Sequence, residues 1–162
     1  MNPSYYSRGS ITGTVIRFDP LNGWGYLDVD GYWYKLKIMH GCDRLKWALY
    51  KQARKNRPIA LKYWPTTSVP ELLNKQIKLK VTRFTEAQDI DYLDIHGIVH
   101  QSSSNGCIIR IPSIPRNKNY YSLVNTEKTF DRGVRVRIAA YLNSGKIVAR
   151  TISLSNTDSV CS

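Results

Sequence analysis

The stretch GTVIRFDPLNGWGYLDVDG, residues 13–31, combines alternating apolar residues with two tight-turn signals. Asn22-Gly23 and Asp30-Gly31 are dipeptides that supply the positive φ angles of short hairpin turns. Between these turns Trp24 and Tyr26 lie two residues apart, so on a strand both rings project from one face. The stretch therefore predicts β-strands joined by tight turns.

The same order of elements recurs in the second half of the chain. Residues 11–16 read ITGTVI and residues 95–100 read IHGIVH, with Gly13 and Gly97 in matching places. Asn105-Gly106 follows Gly97 at almost the offset at which Asn22-Gly23 follows Gly13. The chain is therefore predicted to contain two copies of one fold. Further strands are predicted at 32–38, 59–64 and 77–84 in the first copy and at 119–124, 134–142 and 146–154 in the second.

Apolar and charged residues alternate with period two in both copies, as in Ile77–Val81 and Val134–Ile138, which is typical of half-buried strands. Five short strands in each copy favour a small barrel, because closure removes the exposed edges of a short sheet. We predict an all-β protein with one short helix, built as two tandem five-stranded OB-fold barrels. The predicted domains are residues 1–85 and 86–162, separated by the acidic stretch that begins at Glu86.

One basic helix is predicted near residues 44–55. Asp43 is expected to cap it, the segment runs from Arg44 to about Lys55, and Pro58 forbids its continuation. An OB barrel has a helix in this place, between its third and fourth strands. The second copy has only residues 125–132 in the equivalent slot, with room for a single turn. The helix stripe consists of Leu45, Ala48, Leu49 and Ala53, and its basic surface of Arg44, Lys46, Lys51, Arg54, Lys55 and Arg57.

Positive charge is concentrated in the first half. The 162 residues carry 24 Lys and Arg against 12 Asp and Glu, a formal net charge of +12. Residues 1–84 contain 15 basic and 5 acidic side chains, and residues 85–162 contain 9 and 7. Polyanions are the natural partners of such a surface, since cations that neutralise phosphates release condensed counterions.

From Gly13 to Lys35 the sequence resembles the cold-shock domain. That family opens with GTVKWFN, continues through a KGFGFI motif and follows with a VFVH strand; here GTVIRFD, NGWGYL and YWYK stand in those places. The resemblance covers chiefly residues 13–38, and the domains are thus expected to be cold-shock-like. It implies binding of single-stranded RNA or DNA, with RNA slightly favoured on this ground alone.

Three positions depart from the family pattern. Asn22 replaces the lysine before the glycine motif, Arg17 replaces the surface tryptophan of the first strand, and Lys35 replaces the histidine of the VFVH strand. Arg17 can stack as a planar cation and so preserve function. In the second copy Cys107 and Ile109 are expected in the places of Trp24 and Tyr26, which leaves Tyr120 or Tyr121 as its stacking candidates.

The residues themselves predict an aromatic and basic binding face. If Asp30-Gly31 closes a hairpin, Trp24, Tyr26, Trp33 and Lys35 share one face, and Arg17 emerges beside them. Bases of a single strand stack on such rings while nearby cations hold the phosphates. The candidate binding residues are Arg17, Trp24, Tyr26, Trp33, Lys35, Lys37, Arg44, Lys46, Lys51, Arg54 and Lys55, with Tyr5 or Tyr6 as further stacking candidates.

The aromatic residues and the basic helix also have purely structural interpretations. Single aromatic residues on strands are usually core residues, and Trp47 and Trp64 are interpreted so, although Trp64 could equally line a groove. A basic helix is most often a solvated face. The main alternative function is an OB-fold adaptor subunit of a nucleoprotein complex that uses these faces for protein contacts, for which aromatic residues and arginine are also suited. The second domain would then bind a protein partner.

The sequence argues against other classes. Cys42, Cys107 and Cys161 form no CxxC pair, and His96 and His100 lack a third metal ligand nearby. Asp89, Asp91 and Asp94 lack the glycine and closing glutamate of a calcium loop. No catalytic or phosphate-loop motif is present, so we expect no enzyme activity and no cofactor. Without a signal-peptide core or a long apolar run, a cytoplasmic protein with no membrane partner is expected.

Overall fold

The computed structural model describes residues 5–39, 41–65, 67–73, 76–85, 91–113 and 117–155. Within these residues the protein is mostly β-structure with one α-helix, which confirms the predicted class, and the strands form a mixed sheet. The strands are β1 (Tyr6–Asp19), β2 (Trp24–Val29), β3 (Tyr32–Ile38), β4 (Pro58–Pro65), β5 (Lys78–Thr85), β6 (Tyr92–Ser103), β7 (Gly106–Ser113), β8 (Lys118–Asn125), β9 (Arg135–Asn143) and β10 (Lys146–Leu154). The helix α1 spans Asp43–Lys55, and a 3-10 turn spans Pro70–Leu72.

The chain divides into two compact units. The first unit consists of Arg8–Thr66 and Lys75–Tyr92, and the second unit of Met1–Ser7, Thr67–Asn74 and Leu93–Ser162. The sequence predicts a single domain boundary after residue 85, whereas the segments of these two units alternate along the chain.

In the first unit five strands pair in a closed circuit. β1 is antiparallel to both β2 and β4, and β2 is antiparallel to β3. β5 closes the circuit because it runs parallel to β3 and antiparallel to β4. Val15, Leu27, Leu36, Leu61 and Leu79 have no exposed surface and form the core, each contributing about 1.5–3 kcal/mol through burial.

The second unit has the same pattern of strand pairing, with β6 to β10 in the places of β1 to β5. β6 is antiparallel to β7 and β9, β7 is antiparallel to β8, and β10 runs parallel to β8 and antiparallel to β9. The matching glycines have the same role in both units. A Cβ atom on Gly13 would lie 2.6 Å from the carbonyl oxygen of Asp28, and one on Gly97 would lie 2.7 Å from that of Arg110. Each glycine therefore allows the first strand of its unit to approach the second.

Two details of the predicted elements are wrong. Asp43 lies inside the first turn of α1, and the capping position is Cys42, which makes no side-chain capping bond. Residues 126–134 contain no helical turn, so the connection between β8 and β9 is irregular where a single turn was predicted. Strand β1 has 14 residues and includes the whole of the repeated segment 11–16. Among the described residues, no helix has the length and apolar character needed to cross a membrane.

Candidate nucleic-acid interface

A two-residue turn aligns the strands that carry the aromatic residues. Asp30 and Gly31 have φ angles of 52° and 89°, the two positive values that a type I′ hairpin requires. The N–H of Gly31 also donates a hydrogen bond of 2.9 Å to Oδ1 of Asp28. The resulting register places Trp24 opposite Lys37, Tyr26 opposite Lys35, and Asp28 opposite Trp33. The predicted hairpin is thereby confirmed.

Three rings on this hairpin form a contiguous surface, here called the aromatic platform (Trp24, Tyr26 and Trp33). The ring centres of Trp24 and Tyr26 are 5.9 Å apart in an edge-on arrangement, and those of Tyr26 and Trp33 are also 5.9 Å apart. Trp24 is 38% exposed and Trp33 is 41% exposed, while the intervening Leu27 is fully buried. Because successive side chains of a strand lie on opposite faces, the aromatic platform lies on the face opposite the core.

Cations flank the aromatic platform at both ends. The guanidinium carbon of Arg17 lies 5.3 Å from the centre of the Trp33 ring, and Nζ of Lys35 lies 5.4 Å from that of Trp24. Lys37, exposed on β3, is the register partner of Trp24. Face-on cation–ring contacts of this kind contribute about 0.5–2 kcal/mol. The arrangement offers flat apolar faces and positive charge side by side.

Arg17 reaches Trp33 through an irregularity of β1. Its φ angle is 50°, in the left-handed region that favours glycine, and the β1–β2 register shifts between Ile16 and Asp19. Such a bulge inserts an extra residue and redirects the side chains around it. The bulge accounts for the place of the Arg17 side chain beside the aromatic platform.

The turn before the aromatic platform is organised by Asp19. Its Oδ1 accepts the N–H groups of Leu21 at 2.9 Å and Asn22 at 3.3 Å, and its Oδ2 accepts Nδ2 of Asn22 at 2.7 Å. The side-chain bond from Asn22, followed by the backbone bonds, lowers the pKa of Asp19. Asn22, which replaces a lysine of the cold-shock pattern, thus stabilises the turn that leads into Trp24.

The pairing of β5 with β3 and β4 adds two lysines and a tryptophan that are not among the predicted site residues. In the parallel pair β3–β5, Lys35 is opposite Lys78 and Lys37 is opposite Lys80. On the other side of β5, Lys80 is opposite Trp64, which is 37% exposed. Lys78 and Lys80 alternate with apolar residues, which predicts that both lysines face outward. Their position beside β3 depends on a pairing between strands about 40 residues apart in the sequence, and no local sequence pattern indicates that pairing.

The helix presents only part of its charge to solvent. Arg44, Lys51 and Lys55 are exposed and lie on one stripe of α1, because they are spaced at i, i+7 and i+11. Arg54 is also exposed and lies 6.0 Å from the centre of the Tyr50 ring.

The prediction that Lys46 belongs to the exposed basic surface of the helix is wrong. Lys46 is only 8% exposed, and its Nζ lies 3.7 Å from Oδ1 of Asp43. A Cβ atom on Gly23 would lie 2.9 Å from Cε of Lys46, so the lysine stem packs against the turn before Trp24. Lys46 is a packing residue, whereas the other helix cations of the prediction are accessible.

Tyr5 and Tyr6, the further stacking candidates, belong to the second unit. Their ring centres lie 5.3 and 5.8 Å from that of His96, and the hydroxyl of Tyr6 donates to Asp94 at 3.1 Å. The ring of His100 lies 5.2 Å from that of Tyr121. In the part of the chain that the structure describes, no three His, Cys, Asp or Glu residues are grouped as a metal site would require.

Strand β7 of the second unit carries no aromatic ring in the places that Trp24 and Tyr26 occupy on β2. Cys107 and Ile109 are 1% and 0% exposed, so the prediction that they stand in the places of Trp24 and Tyr26 is wrong. When the two units are aligned on Gly13 and Gly97, Ile109 corresponds to the buried Leu27. The reason is that Ile109 pairs with Val99 and Leu27 pairs with Val15, and each valine lies two residues after its glycine. By this register Gly106 and Ile108 stand in the places of Trp24 and Tyr26, and Tyr121 in that of Trp33.

A scan against protein-family models gives no match, and a search of curated proteins gives none either.

Proposed function

We propose that each unit is a five-stranded barrel of the OB type and that the first unit binds single-stranded nucleic acid. The barrel assignment is supported by the closed circuit of strand pairings in each unit, with a parallel pair between its third and fifth strands. In the first unit it is further supported by α1, which connects β3 to β4 as the helix of an OB barrel does.

The observation that carries the binding proposal is the aromatic platform with a cation at each end. Its rings stand on adjacent strands, Trp24 and Trp33 are more than one-third exposed, and Arg17 and Lys35 lie over them. A base stacked on such a ring contributes about 1–3 kcal/mol and does so for any base, because every base has a π-face. Paired bases present no such faces, so the proposal is specific for unpaired strands.

The phosphate groups of the bound strand would be held by the cations around the aromatic platform. Arg17, Lys35 and Lys37 lie within or beside the row of rings, and the exposed helix cations Arg44, Lys51, Arg54 and Lys55 add positive charge to the same unit. RNA is slightly favoured over DNA as the ligand, on the cold-shock resemblance of residues 13–38 alone. The second unit, which contains 9 of the 24 Lys and Arg residues, is proposed to extend the strand path or to bind a protein.

Fluorescence anisotropy of labelled single strands at several salt concentrations tests the proposal. The logarithm of the affinity should fall linearly with that of the salt concentration, by about 0.7 for each phosphate contact on a single strand. The three cations beside the rings, Arg17, Lys35 and Lys37, thus predict a slope of about −2, and each further lysine or arginine that contacts a phosphate makes it steeper by about 0.7. The same sequence as a duplex should bind weakly. Weak, salt-insensitive binding of strands, together with tight binding of a protein partner, would contradict the proposal and favour an adaptor.

A further inference from the structure

Four outward side chains lie in one register row across the first unit. Trp24 on β2 is the pair partner of Lys37 on β3, Lys37 is the partner of Lys80 on β5, and Lys80 is the partner of Trp64 on β4. The row therefore begins and ends with a tryptophan and has two lysines between them. We name this set of four residues the transverse row.

Burial of the flanking residues shows that the transverse row lies on the outer face of these strands. Leu36 and Ile38 beside Lys37 are buried, as are Leu79 and Val81 beside Lys80. Tyr63 is 2% exposed and Pro65 is buried, whereas Trp64 between them is 37% exposed. Each member thus alternates with core residues, and each tryptophan leaves more than a third of its surface open to solvent.

The row spans three gaps between neighbouring strands. Paired strands are about 4.8 Å apart, so the path along the row is roughly 14 Å at the level of the backbone. Because the strand pairings close on themselves, this path follows the curved outer surface of the unit. The two lysines occupy the interval. Lys35 and Lys78 form a second cation pair two residues away on the same strands, which doubles the positive charge between the tryptophans.

We propose that the bound single strand crosses β2, β3, β5 and β4 along the transverse row and that Trp64 stacks a base at the far end of the path. This proposal rests on the proposed function, since the near end of the path is the aromatic platform. Lys37, Lys80 and Lys78 hold the phosphates between the two stacked ends. The chemical pattern fits a flexible polyanion with a flat group on each unit, and a duplex cannot match it because its bases are stacked internally.

The first test compares Trp64→Ala with Trp47→Ala. Trp47 is the comparison because it is also exposed, at 48%, but stands on α1 and is not a member of the transverse row. Trp64→Ala should weaken the binding of a long poly-uridine strand by about 5- to 150-fold, which is the effect of one stacked base. Trp64→Phe should restore most of the affinity, because a phenyl ring still stacks. Trp47→Ala should weaken the binding much less than Trp64→Ala does.

Shortening the strand gives a second prediction. A strand too short to extend beyond the aromatic platform should bind the wild type and Trp64→Ala equally, so the penalty of Trp64→Ala should appear only as the strand is lengthened. An equal effect of Trp64→Ala and Trp47→Ala at every length, while Trp24→Ala weakens binding, would overturn the path but leave the proposed function standing. Failure of the wild type to bind any strand would overturn both.

A variant with one tryptophan keeps the test decisive if Trp64→Ala does not fold. The chain has four tryptophans, so the combination of Trp24→Phe, Trp33→Phe and Trp47→Phe leaves Trp64 as the only indole while the first two positions keep aromatic rings. The emission of Trp64 should be quenched by the long strand. Unchanged emission at saturating strand, measured by anisotropy on the same sample, would overturn the proposal.

Discussion

Arg17 lies over Trp33, with its guanidinium carbon 5.3 Å from the ring centre, and it does so from a left-handed backbone with φ of 50°. Left-handed backbone costs a residue with a Cβ atom roughly 1–2 kcal/mol. Strain of this kind persists only where the surrounding structure imposes it, and it concentrates at functional sites. The bulge of β1 imposes the left-handed backbone on Arg17. The position of the Arg17 guanidinium over Trp33 is therefore obtained at a cost in the stability of the fold.

The first prediction separates these two effects of Arg17. Arg17→Gly and Arg17→Ala should weaken the binding of a single strand equally, because both remove the same cation. Their stabilities should differ: the glycine variant should be more stable than the alanine variant by about 1 kcal/mol, since only glycine adopts this φ without strain. Urea unfolding of both variants measures the difference. Equal stability of the two would show that the backbone at residue 17 is not constrained.

The second prediction concerns the exposed ring at the start of β2. Trp24→Ala should weaken strand binding by about 1–3 kcal/mol without changing the salt dependence, because an indole carries no charge. The fold should persist, since Trp24 is 38% exposed. A titration at several salt concentrations measures both quantities, with Trp47→Ala as the control. If Trp24→Ala unfolds the protein while the remaining folded fraction binds normally, the ring is a core residue and the aromatic platform is no binding site.

The third prediction contrasts two lysines of α1. Lys51→Ala should reduce the salt slope of strand binding by about 0.7, the share of one phosphate contact, and should leave stability unchanged. Lys46→Ala should leave the slope unchanged and lower stability by about 1 kcal/mol, because the Lys46 stem packs against Gly23. Binding isotherms and urea unfolding on both variants supply the four values. The reverse assignment of the two effects would contradict the placement of these side chains.

The fourth prediction is a pH dependence of stability that comes from Asp91. Oδ1 of Asp91 accepts the N–H of Thr12 at 3.0 Å, yet burial raises the pKa of this carboxyl above its ordinary value. The folded state therefore holds the proton more tightly than the unfolded chain. The stabilisation is complete below the ordinary aspartate pKa of about 3.9 and is lost as the pH rises through the raised pKa.

Asp91→Asn isolates this contribution because the amide keeps an oxygen acceptor for Thr12 and does not titrate. The free energy of unfolding of the wild type, taken relative to Asp91→Asn, should fall as the pH rises through that window and then become constant. Urea unfolding at a series of pH values between about 3.5 and 7 measures it. A difference that increases with pH would mean that the pKa of Asp91 is lowered.

Local patterns in the sequence predict much of the first unit. The Asp30-Gly31 turn and the alternation around it are short-range signals, so they predict the hairpin and place Trp24 and Tyr26 on one face. The alternation of β5 likewise predicts that Lys78 and Lys80 face outward. Each of these inferences depends only on residues within one turn or one strand.

Features that depend on distant pairing were not predictable. The parallel register of β3 with β5 decides that Lys78 stands beside Lys35, and nothing near either residue specifies it. The burial of Lys46 depends on the turn at Gly23, which lies on another element. The misplacement of Cys107 has a further cause: Gly106 is the first residue of β7, whereas Gly23 lies one residue before β2, so alignment on the Asn-Gly pairs shifts the strand by one position.

Tryptophan emission during titration with an unpaired RNA strand, followed by the same strand annealed to its complement, tests the binding face most directly. The single strand should quench the tryptophan emission, and added salt should reverse the quenching. The duplex should change the emission little. Emission that stays constant while the single strand binds would contradict the account, because the strand would then lie away from Trp24 and Trp33.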